Sequence, residues 1–253
     1  MNGYTNYWDQ YSHKYSIFLY LSNLAMNTNV FIKLQLVRGA EFRKLMRPFL
    51  YYILGLFDSN NIKHFADYGT LLGVIRFSHE LYWDDDYDFF ILGGLDKLYE
   101  LKGPSILSRT TTNLTNIIDD TEQLKCAYKC NINNKIYHLY FQLTEWNFIK
   151  IYACDEKNTY IGKIVDIFTT NDIFRKLSPR QIMPLTRKKF GKIEVNVMAD
   201  YHNYLVSFYG SDYMTKYTIC NHYIDDYYDW KDPSKYISID KNAFMDILKG
   251  QTK

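Results

Sequence analysis

The stretch Trp83-Asp84-Asp85-Asp86-Tyr87-Asp88-Phe89, followed at once by Phe90-Ile91-Leu92, narrows the folding options of this chain more than any other. Four carboxylates fall within five positions and lead directly into an apolar run of strand character. Read as a strand throughout, the stretch places Asp84, Asp86 and Asp88 on one face and Asp85, Tyr87 and Phe89 on the other. Side chains two apart on one face stand roughly 7 Å from each other, so a pair of carboxylates can grip one small cation. Without a cation such a row repels itself, and some of its pKa values rise. The stretch therefore calls for a divalent metal, Mg²⁺ or Mn²⁺, with a phosphate as its other ligand. The bland alternative is a solvated acidic turn.

What lies around it favours the metal. His64-Phe65-Ala66-Asp67-Tyr68 reads as a short strand ending at Gly69-Thr70, with Leu71–Phe77 forming one or two helical turns after it. Glycine lets backbone approach a phosphate closely, and the N–H groups of a helix start point at it. A metal held by paired aspartates commonly needs a third carboxylate from a neighbouring strand. Ile164-Val165-Asp166-Ile167-Phe168 offers a lone aspartate within an apolar strand, where a bare charge is costly unless paired or metal-bound.

In order and near the usual spacing, Asp67-Tyr68-Gly69-Thr70-Leu71-Leu72-Gly73-Val74-Ile75-Arg76 and Trp83-Asp84-Asp85-Asp86-Tyr87-Asp88 resemble the signature of the LicD family. That family includes bacterial phosphocholine transferases and the fukutin and fukutin-related proteins. Val165-Asp166-Ile167-Phe168 and the segment from Tyr204 to Tyr213 resemble later family features, so the similarity spans roughly residues 40–215. A proline commonly precedes the family's tryptophan; here Tyr82 stands in its place.

The resemblance implies an α+β fold of nucleotidyltransferase type, a mixed β-sheet flanked by helices with the active site at one sheet edge. It also implies transfer of a phospho-alcohol, such as a phosphocholine-like or polyol-phosphate group, from a CDP-linked donor to a glycan hydroxyl. In those terms Asp86 and Asp88 are the metal-binding pair and Asp166 the third acidic residue, all three catalytic. Asp84 shares the metal, and Gly69 and Thr70 line the phosphate pocket. Arg76 contacts phosphate or anchors the acidic loop. Expected domains are an N-terminal arm over residues 1–32, a catalytic domain over 33–215 and an extension over 216–253 packed on it. Two alternatives stand beside this reading. One is a nucleotidyltransferase that moves a nucleoside monophosphate and releases pyrophosphate; the other is a catalytically silent glycan-binding or scaffold protein.

Elsewhere the chain reads as an irregular arm with a short helix near Tyr15–Leu24, then a helix from Lys33 to Phe57 that Pro48 kinks or divides. Another helix is expected over Leu95–Leu107. Strands are expected over Gln123–Asn131, Lys135–Leu143, Phe148–Cys154, Tyr160–Phe168 and Lys192–Val197, and helices over Ala199–Tyr209 and Lys241–Leu248.

Composition bounds the partners. The 253 residues carry Lys+Arg 30 against Asp+Glu 28, a net charge of +2, and so offer no bulk attraction to nucleic acid. No basic segment leads into an apolar core with a cleavage site, and Ile17–Leu21 is too short to span a bilayer, so a cytoplasmic location without a membrane span is expected. Cys126, Cys130, Cys154 and Cys220 lack the spacing of a zinc site or disulfide framework and read as buried thiols, with Cys126, Cys130 and His138 the alternative seed of a metal site. His64 reads as a packed strand residue, Trp83 as a packing anchor for the acidic loop, and Arg187-Lys188-Lys189 as a solvated basic face. Tyr223, Tyr227, Tyr228 and Trp230 are aromatic tail residues for stacking or packing.

Overall fold

Helix α1 (Thr28–Ser59) runs for 32 residues along the back of a mixed β-sheet. The computed structural model describes residues 28–93, 98, 106–107, 123–144, 148–157, 160–169, 177–220 and 236–250. Helix α1 starts earlier than Lys33, and Pro48 lies inside it without dividing it. Phe31, Ile32, Leu36, Phe42, Met46, Phe49, Leu50, Ile53 and Phe57 are all buried. Burying that many large side chains outweighs the one hydrogen bond that a proline removes.

The chain continues through β1 (His64–Ala66), α2 (Tyr68–Phe77), β2 (Tyr87–Ile91), β3 (Ile106–Leu107), β4 (Gln123–Ile132), β5 (Lys135–Leu143), β6 (Ile149–Asp155) and β7 (Tyr160–Thr169). After these come α3 (Pro179–Ile182), β8 (Thr186–Phe190), β9 (Ile193–Val197), α4 (Tyr201–Tyr209), β10 (Lys216–Cys220), β11 (Tyr236–Asp240) and α5 (Lys241–Gly250). Seven strands form the main sheet in the order β1-β2-β7-β6-β5-β4-β3. All neighbours are antiparallel except β2 and β7, which run parallel. The fold is thus the expected α+β arrangement, a mixed sheet flanked by helices.

Alternation along the strands assigns the two faces. Tyr87, Val165 and Ile167 are buried toward α1, where the Phe42 and Tyr87 rings lie 5.2 Å apart and Phe49 meets Tyr137 at 4.9 Å. Gly162 lets α1 cross β7 closely, since a Cβ there would lie 2.2 Å from Met46 Cε. Asp88 and Asp166 belong to the opposite face.

Three expectations need correction. Tyr68 is not a strand residue, and Gly69-Thr70 is not a turn between strand and helix: both belong to the first turn of α2, because Asp67 caps that helix by accepting from the Tyr68 N–H at 2.9 Å. The strand after Trp83 starts only at Tyr87, so Asp84, Asp85 and Asp86 occupy the preceding turn and strand alternation does not govern them. Ile106–Leu107, expected at the end of a helix, pairs with β4. Apart from Leu98, which is helical and buried, the rest of that expected helix, the arm with Tyr15–Leu24, the side chains of Cys126 and Cys220, and the aromatic tail residues Tyr223, Tyr227, Tyr228 and Trp230 lie outside the described residues. Among the described residues no helix is long and apolar enough to cross a membrane.

Candidate active site

Asp88 and Asp166 are direct cross-strand neighbours in the parallel β2–β7 pair, so residues far apart in sequence place two carboxylates side by side. Asp86, in the turn entering β2, completes a group in which one carboxylate oxygen from each residue lies within 4.8 Å of the others. A second group of the same span joins Asp84 and Asp85 to Asp86. These two overlapping groups are the metal-suited clusters among the described residues, and both are made of hard oxygen donors. The described thiols contribute to neither. Cys130 and Cys154 are buried and free, and burial pushes them up to about 11 and about 12 respectively.

So many acids in one place perturb each other. Burial, then the neighbouring charge of Asp86, raises Asp84 well above the usual carboxylate range. Burial raises Asp88 likewise, with Asp86 and Asp166 adding to it. Asp166 is raised by burial while Lys163 opposes the shift. Its Oδ1 is buried with no hydrogen-bond partner, which leaves one lone-pair face of the cluster unspent. Excess negative charge, hard oxygens and that orphaned acceptor together fit a divalent cation.

Helix α2 positions the cluster from the other side. Its first turn abuts the carboxylates: a methyl added to Gly69 would lie 2.7 Å from Asp84 Oδ2 and 3.5 Å from Asp88 Oδ2. Any side chain there has to push the Asp84 carboxylate aside, and the positive end of the helix dipole faces the acids. Thr70 Oγ1 accepts from the Asp88 N–H at 2.8 Å, so this hydroxyl holds the β2 backbone. Tyr68 takes a left-handed φ of +34°, with its ring against Phe168 and Phe208.

Both ends of α2 are pinned by the 204–217 segment. Tyr204 of α4 donates its hydroxyl to Asp67 Oδ1 at 2.6 Å. At the other end Arg76, expected at phosphate or at the acidic loop, instead donates Nε to the Tyr213 carbonyl at 2.7 Å and Nη2 to the Lys216 carbonyl at 3.0 Å. Its guanidinium also sits 4.4 Å from the centre of the Tyr217 ring, and burial pulls it down to about 10.

Several residues at the site escaped the sequence reading. Arg38 pairs with Asp85, Arg43 donates to the carbonyls of Leu81 and Tyr82 at 3.1 and 2.8 Å, and Arg47 makes a two-pronged contact with Glu80 at 2.8 Å on each prong. Helix α1 thus grips the whole acidic turn through three arginines, and Gly39 makes room for the Tyr82 carbonyl. Arginines set among the apolar positions of α1 were the available signal, since a charge on a buried helix face requires a partner. Tyr87 also donates to Glu80, at 2.9 Å. Lys163 was missed altogether: its Nζ donates to Asp86 Oδ2 at 2.8 Å and to Asp166 Oδ2 at 2.9 Å. Burial alone would lower this ammonium, but the Asp166 and Asp86 charges hold it well above the ordinary lysine value.

Trp83 packs against Phe244 at 5.3 Å and Tyr217 at 5.9 Å, the anchor expected of it. His64 is a buried strand residue whose Nδ1 meets the Ile62 carbonyl. Arg187, Lys188 and Lys189 lie on β8, where Arg187 faces Glu194 and Lys188 lies over the Tyr201 ring.

A model of the nucleotidyltransferase domain of the LicD/FKTN/FKRP family matches residues 61–200, a span that begins before β1 and ends at the residue before α4. No curated protein matches the chain.

Proposed function

The chain belongs to the LicD family, whose members transfer phosphate-containing groups, and from that premise we propose a metal-dependent transfer of a phospho-alcohol from a CDP-linked donor to a glycan hydroxyl. The observation that carries this reading is the juxtaposition of Asp86, Asp88 and Asp166 beside the N-terminal turn of α2. Asp86, Asp88 and Asp166 would hold Mg²⁺ or Mn²⁺, with Asp84 as a further ligand. Bound there, the cation supplies neutralisation of the charge that develops on the leaving nucleotide.

The chain's own groups do the remaining work. Gly69 and Thr70 bring the start of α2 close to where the donor phosphates lie. Asp166 takes the proton of the acceptor hydroxyl as its oxygen attacks phosphorus, and the bond to the nucleotide breaks to release CMP. Thr70 keeps Asp88 in register for this, while Arg76 acts at a distance by fixing the far end of α2. Residues 33–215 form the catalytic unit in this reading, and from the extension beyond it Tyr217 and Phe244 support the unit by packing on Trp83.

The test is CMP release from CDP-choline, CDP-ribitol and CDP-glycerol with and without Mg²⁺ or Mn²⁺. Asp86→Asn and Asp88→Asn are each expected to lower turnover by at least about a thousandfold while circular dichroism stays unchanged. Normal turnover in either variant overturns the assignment. Release of pyrophosphate in place of CMP would identify nucleotidyl transfer.

A further inference from the structure

An interruption in β7 brings Lys163 to the carboxylates. In an unbroken strand, residues three apart point to opposite faces, so Lys163 would turn toward α1 and away from Asp166. Opposite β6, however, the register passes from Val165↔Ile151 directly to Lys163↔Tyr152, which makes Ile164 an extra, bulged residue. Ile164 and Val165 are both fully buried, and Gly162 again abuts Met46 of α1. Lys163 is thereby turned onto the face of Asp166.

There its ammonium ties together carboxylates from two different elements, Asp86 of the acidic turn and Asp166 of β7. Both belong to the oxygen group that suits a cation. The bridge is not sealed: the side chains of Lys163 and Asp86 are 29% and 22% exposed, so a hydrated ion can reach it. An ammonium on a flexible four-carbon stem can yield these oxygens and swing aside. Once beside a divalent cation it is repelled, and it then requires an anion.

Resting on the metal site read above, we propose that Lys163 is a built-in counter-ion: it holds Asp86 and Asp166 together until a divalent cation takes them, and then binds the donor's phosphate. Metal alone must expel the ammonium with no new partner to receive it. Metal with a nucleoside diphosphate supplies that partner. The two ligands therefore bind cooperatively, and this side chain adds to the coupling that direct contact between metal and phosphate supplies.

Mn²⁺ titration of the full chain, with and without CDP, tests this on the wild type, Lys163→Met and Asp86→Asn. CDP is expected to tighten Mn²⁺ binding by the wild type about tenfold or more, the scale of one charge-assisted contact. Lys163→Met is expected to bind Mn²⁺ alone about tenfold tighter than the wild type and to show a clearly smaller CDP effect. Its metal-free melting temperature should fall, and Mn²⁺ should raise it by more than in the wild type. Equal or weaker Mn²⁺ binding by Lys163→Met, or full retention of the CDP effect, overturns the proposal. Should that variant not fold, the wild type decides: Mn²⁺ binding that CDP does not tighten overturns it equally. Absence of any Mn²⁺ binding sensitive to Asp86→Asn would instead remove the metal site itself, and the role of Lys163 with it.

Discussion

Gly69 touches the acid cluster with nothing but a hydrogen, and a single methyl there reports on how tightly the site is built. Placed 2.7 Å from Asp84 Oδ2, the methyl of Gly69→Ala must push that carboxylate aside. Helix propensity favours alanine, so stability should change by no more than about 1 kcal/mol in either direction. Turnover and Mn²⁺ affinity are nonetheless expected to fall at least about tenfold, because ligands displaced by fractions of an ångström lose their geometry. Unchanged Mn²⁺ affinity in this variant would place Asp84 outside the metal's reach. At this scale much was legible. The glycine, the threonine and the run of aspartates stand out because each is an odd residue for its surroundings. Lys163 does not stand out, since period-two alternation assigns it to the wrong face and no local pattern announces a bulge at Ile164.

The acidic turn is held as an element, and α1 is what holds it. Arg38, Arg43 and Arg47 reach Asp85, the Leu81 and Tyr82 carbonyls, and Glu80 respectively. Glu80 is buried, and burial would raise its pKa, yet the two-pronged hydrogen bond from Arg47 holds it below the usual range. A carboxylate depressed on folding stabilises the protein above its unfolded pKa, and that contribution is lost as pH falls through the depressed value. Arg47 is about one-third exposed, which discounts the pair, so Arg47→Ala should cost about 2 kcal/mol at pH 7. The cost should shrink on acidification below roughly pH 4, where Glu80 is protonated in the unfolded chain and in the variant. Urea unfolding of both proteins at pH 7 and pH 3.5 measures it; a difference that grows on acidification would contradict this account. The boundaries of β4 to β7, β9, α4 and α5 were legible to within about two residues, because alternation and turn residues are local signals, whereas α3, β8, β10 and β11 were not anticipated in their polar and basic segments. The start of β2 was not, since the aspartates mimic alternation where the chain in fact turns.

For the molecule as a whole, the class of fold followed from the resemblance to the LicD family, but the strand order did not follow from any local pattern. Nothing local says that β7 inserts beside β2, and the parallel pairing that creates the site depends on packing far along the chain. That pairing has a consequence in time. Strands β4 to β7 form an antiparallel meander whose neighbours are sequential and can zip locally. Asp86 and Lys163, by contrast, are 77 positions apart and meet only when β7 docks on β2. Closing so long a loop is entropically costly, so the carboxylates are expected to come together late in folding. A divalent ion that recognises only the finished cluster should then slow unfolding while leaving the refolding rate unchanged, a split that stopped-flow kinetics in urea reads directly. Refolding accelerated by Mn²⁺ would show the cluster already formed at the barrier. With the expected outcome, the part of the molecule that does the chemistry is the last to appear as the chain folds and the first to go as it unfolds.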